Sequence, residues 1–333
     1  MVPVHATSGA SGRRVTALAV AGLAAAVLLV AGCGDDSEPR AEPAPTESGD
    51  GAAEPAVESL PEPIQEITIA GDEYTFSVTS GSSTDLRPGW TLVRFDNVGL
   101  EAHQVMFARV KDGVDMSELA AAGAGDSSGA GAIEFVDMLG GVSYIDPEHG
   151  TTALVDLPEG MVLAMCYVPD PAGVAHALSG MTMTLAVSAE GGGGAAPTAS
   201  AFPELASGEV RGTIELTAGG YVFPEDMGTG WYHVVNTDDA DPTRGLHELS
   251  LMRLGEEVAD AAVDAMVVDL ANNVVPDVEL DAVGGLGAVS AGFEGYVHLD
   301  LEPGQYLAVD FMPDPQEPRP HMLDGYYSTF VVE

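Results

Sequence analysis

Three sulfur and nitrogen donors fall close together in CYVPDPAGVAHALSGM, residues 166–181: the thiol of Cys166, the imidazole of His176 and the thioether of Met181. A second imidazole, His103, opens the β-rich run His103-Gln104-Val105-Met106-Phe107 further upstream. Sulfur donors favour Cu(I), and imidazole suits both copper oxidation states. Two imidazoles, a thiolate and a weak thioether therefore suit reversible one-electron exchange at copper. Each residue alone has an ordinary role: a strand histidine is usually a satisfied surface group, methionine usually core, and cysteine a small buried hydrophobe. The case for the set is that all four occur together and that the thiol stands alone. Met183 is the alternative thioether.

The chain has only one other cysteine, Cys33, and it closes an N-terminal leader. Arg13 and Arg14 precede the uncharged run VTALAVAGLAAAVLLVAG, which reads as an export signal over residues 1–32. The run is at the short limit for a membrane span. Val30-Ala31-Gly32-Cys33 resembles the bacterial lipobox, which implies a diacylglycerol on Cys33 and an extracytoplasmic, lipid-anchored protein. The arginine pair leaves both general and twin-arginine export open. With Cys33 lipidated, Cys166 has no disulfide partner in an oxidising compartment, and a metal would account for it.

The charge is strongly acidic: 52 Asp and Glu against 11 Lys and Arg, a formal net charge of −41. Losing the leader removes only the two arginines and makes this −43. Such a surface does not bind nucleic acid or anionic lipid by charge. The expected membrane attachment is therefore the lipid on Cys33, and the expected protein partner is a redox protein with a basic docking patch. A merely solvated acidic surface is the alternative.

Residues 33–63 are rich in Glu, Asp, Pro and Ala with few large apolar groups, and read as a disordered tether. A second biased run, EGGGGAAPTAS, marks a linker over 189–207. The segments on either side, 64–188 and 208–333, repeat each other. TTALVDLPEGMVLAMCYVPDP (151–171) overlies GYVHLDLEPGQYLAVDFMPDP (295–315) at an offset of 144, and the same offset pairs His103 with His247 and Gly140-Gly141 with Gly284-Gly285. His176 pairs with His321 at 145.

Both segments read as short strands divided by turns: Ile67-Thr68-Ile69, Tyr74-Thr75-Phe76, Leu92 to Phe95 and Val105-Met106-Phe107, with turns at Arg87-Pro88-Gly89 and Pro158-Glu159-Gly160. That spacing favours an all-β fold of two tandem Greek-key β-sandwiches. One helical insertion lies beside each. The first starts at Asp115 with Glu118 as a capping-box partner, and the second covers 255–273.

In this setting LRPGWTLVRFDNVGLEAHQVMF and MCYVPDPAGVAHALSGMTMTLAV resemble the cupredoxin family: a strand ending in the first copper histidine, then a closing loop with Cys, His and Gly-Met before a last strand. The resemblance covers about residues 64–188 and, more weakly, 208–333. It implies one type 1-like copper site, with His103, Cys166 and His176 as ligands, Met181 as the axial group and His176 as the exit route for electrons. The loop between Cys166 and His176 is longer than the family's usual one.

In the second segment the equivalents are His247, Asp310, His321 and Tyr326, so thiolate and thioether are both replaced. This is expected to be a structural copy without copper, although two imidazoles and a carboxylate also suit a harder divalent ion. His149, His233 and His298 have no repeat partner and read as ordinary residues, and His5 belongs to the leader. The expected function is a membrane-tethered electron carrier; the alternatives are a Cu(I) carrier or buffer and a metal-free binding module. An enzyme is not expected. The chain has no His-x-His pair and no His-Cys-His for a multicopper oxidase, and a binuclear copper site needs a second cysteine in the loop.

Overall fold

A computed structural model describes residues 58–125, 127–238, 245–255, 257–313 and 319–333. The leader, Cys33 and nearly all of the expected tether lie outside the described residues.

The first half contributes β1 (Gln65–Asp72), β2 (Thr75–Ser80), β3 (Gly89–Asn97), β4 (His103–Val110), β5 (Val136–Ile145), β6 (Gly150–Leu157), β7 (Gly160–Met165) and β8 (Thr182–Val187). The second contributes β9 (Val210–Thr217), β10 (Gly220–Val222), β11 (Gly230–Asn236), β12 (Ser250–Leu254), β13 (Leu280–Gly284), β14 (Glu294–Leu299), β15 (Gly304–Val309) and β16 (Tyr327–Val332). They form two sheets of eight, in the orders β10-β9-β11-β14-β6-β3-β1-β2 and β16-β15-β12-β13-β5-β4-β7-β8. Each half is thus a two-sheet sandwich in an all-β fold, as its turn spacing implies, and both sheets continue from one half into the other.

Alternation explains the sandwich. Along β1 the inward Ile67 and Ile69 are fully buried while their neighbours are only partly so. β4 departs from this pattern, being buried on both faces over most of its length. Val105 and Phe107 enter the inter-sheet core, whereas Met106 and Ala108 pack outside it against Leu119 and Ile133. Leu119 belongs to α1 (Met116–Gly123), so the first helical insertion roofs the outer face of β4. α2 (Asp260–Ala271) does the same in the second half, where Val263, Met266 and Val267 cover Met252, Leu254, Leu307 and Val309.

Three local expectations are adjusted. Asp115 caps α1 through the Ser117 N–H, and Glu118 contributes only its backbone N–H to the Asp115 carbonyl. α2 is shorter than 255–273 because Gly255 is bonded to the Glu279 carbonyl and Ala259 is extended, so the helix starts at Asp260, and at its other end the Asn272 side chain closes onto the Val268 carbonyl. Tyr74 lies in the turn before β2 with φ 62°.

The junction between the halves is symmetric. β6 and β14 pair antiparallel with Ala153 opposite Val297, flanked by Leu154 opposite Tyr296 and Thr152 opposite His298. In the other sheet Val142 bridges Leu286, flanked by Ile145 opposite Val283 and Leu139 opposite Val289. Exchanging each residue for the one 144 positions away maps this set of pairs onto itself, so a pseudo-twofold axis passes through both seams. The segment before β1 pairs with the one before β9: the Leu60 N–H donates to the Gly208 carbonyl and the Val210 N–H to the Glu58 carbonyl. The Gly/Ala-rich stretch after β8 is held by Asp85, which accepts from the N–H groups of Gly192 and Gly193.

Candidate functional site

β7 ends at Met165, and the chain reaches β8 through the long loop that carries three of the four expected ligands. The loop folds back on itself. The Asp170 carboxylate accepts from the N–H groups of Ala172 (2.8 Å) and Val174 (2.9 Å), and the backbone bridges Pro169 to Ala175. Residues 169–175 form this small side hairpin. Beneath it the His176 N–H donates to the Val168 carbonyl (2.9 Å) and the Ala177 N–H to the Cys166 carbonyl (2.7 Å), so Cys166 and His176 meet despite their separation. A 3-10 turn, His176–Ser179, ends at Gly180 with φ 110°, a conformation that favours glycine. Met181 then returns to hydrogen-bond the Cys166 N–H through its carbonyl (3.2 Å).

The side chains converge. His103 Nδ1 lies 3.1 Å from His176 Nδ1, and Cys166 Sγ lies 3.9 Å from the first and 3.6 Å from the second. All three residues are fully buried, and Met181, also fully buried, shares an apolar cluster with Cys166. Met183 packs against the main core instead. A point equidistant from the two nitrogens and the sulfur lies about 2.1 Å from each, which matches metal–imidazole and metal–thiolate bonds of about 2.0–2.3 Å. The three donor atoms are therefore spaced to hold a metal ion.

The surroundings orient these donors. Glu101 Oε2 lies 3.1 Å from His176 Nε2, at ion-pair distance but outside hydrogen-bond geometry, so the outer ring nitrogen faces a carboxylate while Nδ1 faces the cluster. Burial holds the His103 imidazole down to about 4, with His176 adding to the effect, so the ring is neutral at pH 7. Burial also lowers His176, against the opposing pull of Glu101. The Cys166 thiol is pushed up to about 12 by burial, although the Gln104 and Val168 N–H groups act the other way. At neutral pH the cluster is thus two neutral imidazoles and a thiol, and a metal binding there displaces the thiol proton.

The second half repeats the frame with other side chains. The His321 N–H donates to the Met312 carbonyl, Met322 to Asp310, and Asp310 to Tyr326, matching the loop bonds of the first half in turn. Asp310 Oδ2 lies 2.8 Å from His247 Nδ1 and 3.0 Å from His321 Nδ1, and His247 Nε2 lies 3.1 Å from Asp238 Oδ2. Tyr326 occupies the Met181 position and stacks on His247 at 4.0 Å. Burial raises the Asp310 carboxyl, but hydrogen bonds from His247 and His321 outweigh it and hold it below the usual range. The His-Asp-His group has the donors for a divalent ion. It is equally a closed hydrogen-bond cluster in which protons take the metal's place.

Several residues that sequence reasoning passed over complete the first site. A Cβ on Gly99 would lie 2.8 Å from both His103 Nε2 and Glu73 Oε1, so the backbone there must be glycine for His103 to fit. Asn97 ties the approach to β4 by donating to the carbonyls of Glu101 and Ile145. Asn236 plays that part in the second half, donating to Gly245 and Val289. The Asn-containing turn ahead of His103 was the available signal. His233 lies between Glu58 and Glu294, and His149 bonds the Pro147 carbonyl, both away from the cluster.

No family model matches the chain, and no curated protein matches it. Among solved structures it is similar to reduced auracyanin from the photosynthetic bacterium Roseiflexus castenholzii, with 17% identity, 38% of this chain and 98% of that one covered, and a TM-score of 0.27. It is similar to auracyanin A, titled a "blue" copper protein from Chloroflexus aurantiacus, with 17% identity, 37% and 98% coverage and a TM-score of 0.25. A multicopper oxidase is similar at 15% identity, 83% and 92% coverage and a TM-score of 0.22.

Proposed function

We propose that this chain is a cupredoxin-type copper protein that carries single electrons. It would hold one copper ion at His103, Cys166 and His176 in the first half, with Met181 as axial group. The observation that carries this reading is the triangle of buried donors with edges of 3.1, 3.6 and 3.9 Å. Copper bound there would supply a centre that exchanges one electron with little rearrangement of its ligands. His176 provides the route outward, since its far nitrogen meets the half-buried Glu101. The register-preserving offset of 144 supports an origin of the two halves by duplication.

A carrier accords with the sequence better than an oxidase, because the chain lacks His-x-His and His-Cys-His motifs. Cu(I) carriage would draw support from a mobile loop, but the Asp170 hairpin pins this one and favours electron transfer. The lipid on Cys33 would tether the protein outside the cytoplasm, with an acidic surface steering a basic redox partner. The geometry of β1 suits that arrangement. Glu58 lies before its first residue and Gly71, whose Cβ position is 3.1 Å from Met181 Cε, near its last. Along β1 the chain runs from Gln65 to Gly71, about 20 Å at about 3.3 Å per residue of strand, so it would enter the sandwich away from the copper end.

The test is the visible spectrum of the Cu(II)-loaded chain. An intense thiolate-to-copper band is expected, absent in Cys166→Ser. A colourless protein whose copper affinity survives that substitution would reject the reading.

A further inference from the structure

Gln104 and Glu248 occupy the same position in the two halves, 144 residues apart and each one residue beyond the first histidine. Their exposures are 1% and 0%. Neither atom of the Gln104 amide makes a hydrogen bond. Glu248 accepts the Phe311 N–H at Oε1 (3.0 Å) and has the Ser143 and Ser250 hydroxyls beside it, while its Oε2 makes no well-aligned hydrogen bond. Both side chains line one cavity of about 300 Å³. Tyr167 and Phe311, again 144 apart, line it too, and Tyr144 stacks on Phe311 at 4.5 Å to form an aromatic wall. The cavity is therefore built from both halves about their pseudo-twofold axis. A buried polar group without a partner costs about 1–3 kcal/mol, and such groups are rare unless something satisfies them. The size is at the lower end of small-ligand pockets, about 300–1,000 Å³.

We propose that this cavity is a binding site for a small, uncharged aromatic molecule bearing a primary carboxamide. Gln104 presents a donor and an acceptor side by side on one planar group, and the complement of a carboxamide is another carboxamide. The ligand carbonyl accepts from Gln104 Nε2, and one ligand N–H donates to Gln104 Oε1. The second ligand N–H donates to Glu248 Oε2, which accepts whether or not the acid carries its proton. The ring lies against Tyr144 and Phe311. A carboxylate would set an acceptor against Gln104 Oε1 and leave it without a donor, and an ammonium would leave the Gln104 N–H groups without an acceptor. The inference does not rest on the copper reading, since neither Gln104 nor Glu248 is among the proposed ligands.

The probe is benzamide, titrated into the metal-free full chain and followed by the side-chain ¹⁵N resonance of Gln104 and by calorimetry. Saturable binding of one benzamide per chain with a shift of that resonance is expected. Benzoate and benzylamine should bind at least about tenfold more weakly, and Gln104→Leu should weaken benzamide by about tenfold or more. Because the resonance is read in the unaltered protein, the test holds even if the variant fails to fold. Overturning results are no saturable shift up to the solubility limit of benzamide, or equal binding of all three probes, or benzamide binding undiminished in a folded Gln104→Leu protein. Loss of the visible copper band would leave these outcomes untouched, so the two proposals fail separately.

Discussion

A carboxylate in place of a thiolate changes what holds two buried histidines together. In the second half Asp310 binds both imidazoles through one oxygen and takes the Met312 N–H on the other. Asp310→Ala removes that acceptor from two buried rings, and breaking a buried pair of this kind costs about 3–5 kcal/mol. The loss should appear as a lower urea midpoint at unchanged slope. In the first half the matching sensitivity lies in a residue with no side chain. Gly99→Ala pushes a methyl against His103 and Glu73, at a cost of about 1–3 kcal/mol for overpacking. Copper-loaded Gly99→Ala should show a shifted or weakened visible band as His103 moves, and an unchanged spectrum would count against the tight fit. The four proposed ligands were read from the sequence by a lone thiol and by an order of His, Cys, His and Gly-Met that resembles the cupredoxins. Gly99, Glu101 and Glu73 were not, because their parts depend on lying beside His103 and His176 in space, and nothing in their spacing marks that.

The loop between β7 and β8 shows how an element absorbs length. Residues 169–175 form a hairpin pinned by one carboxylate, while the stretches on either side keep their bonds to each other. Asp170→Ala frees the N–H groups of Ala172 and Val174, a loss of about 1–2 kcal/mol confined to the loop. Hydrogen exchange at those two amides should accelerate while β4 and β7 stay protected. If exchange across the whole sandwich rises together, the hairpin is not a separate unit. Sequence reasoning placed β-branched and aromatic runs that fall in β1, β3 and β4 and most of a run that falls in β2, and placed a helix in each half. It could not tell what the helices cover, because a run such as Val263, Met266 and Val267 reads the same whichever sheet lies beneath it.

The whole molecule is held by two seams that share one pseudo-twofold axis. Cutting it after the first half leaves β6 and β5 as open edges, each lined by the residues that met their own counterparts in the intact protein. An edge complementary to its equivalent is an isologous surface. A fragment covering residues 58–188 should therefore dimerise through both seams, with a mass in light scattering twice that of one chain. A stable monomer would show that the seams contribute little. The offset of 144 exposed the two halves in the sequence. Their union stayed hidden, because a buried strand such as Ala153-Leu154-Val155 carries no label for the strand beside it.

The shared loop frame has a practical consequence. Each molecule holds two histidine pairs on nearly the same backbone, one facing a thiol and the other a carboxylate. A metal titration followed at both pairs therefore compares a thiol-faced and a carboxylate-faced set of donors on one scaffold. The order in which the His103/His176 and His247/His321 resonances respond reports what the third donor contributes.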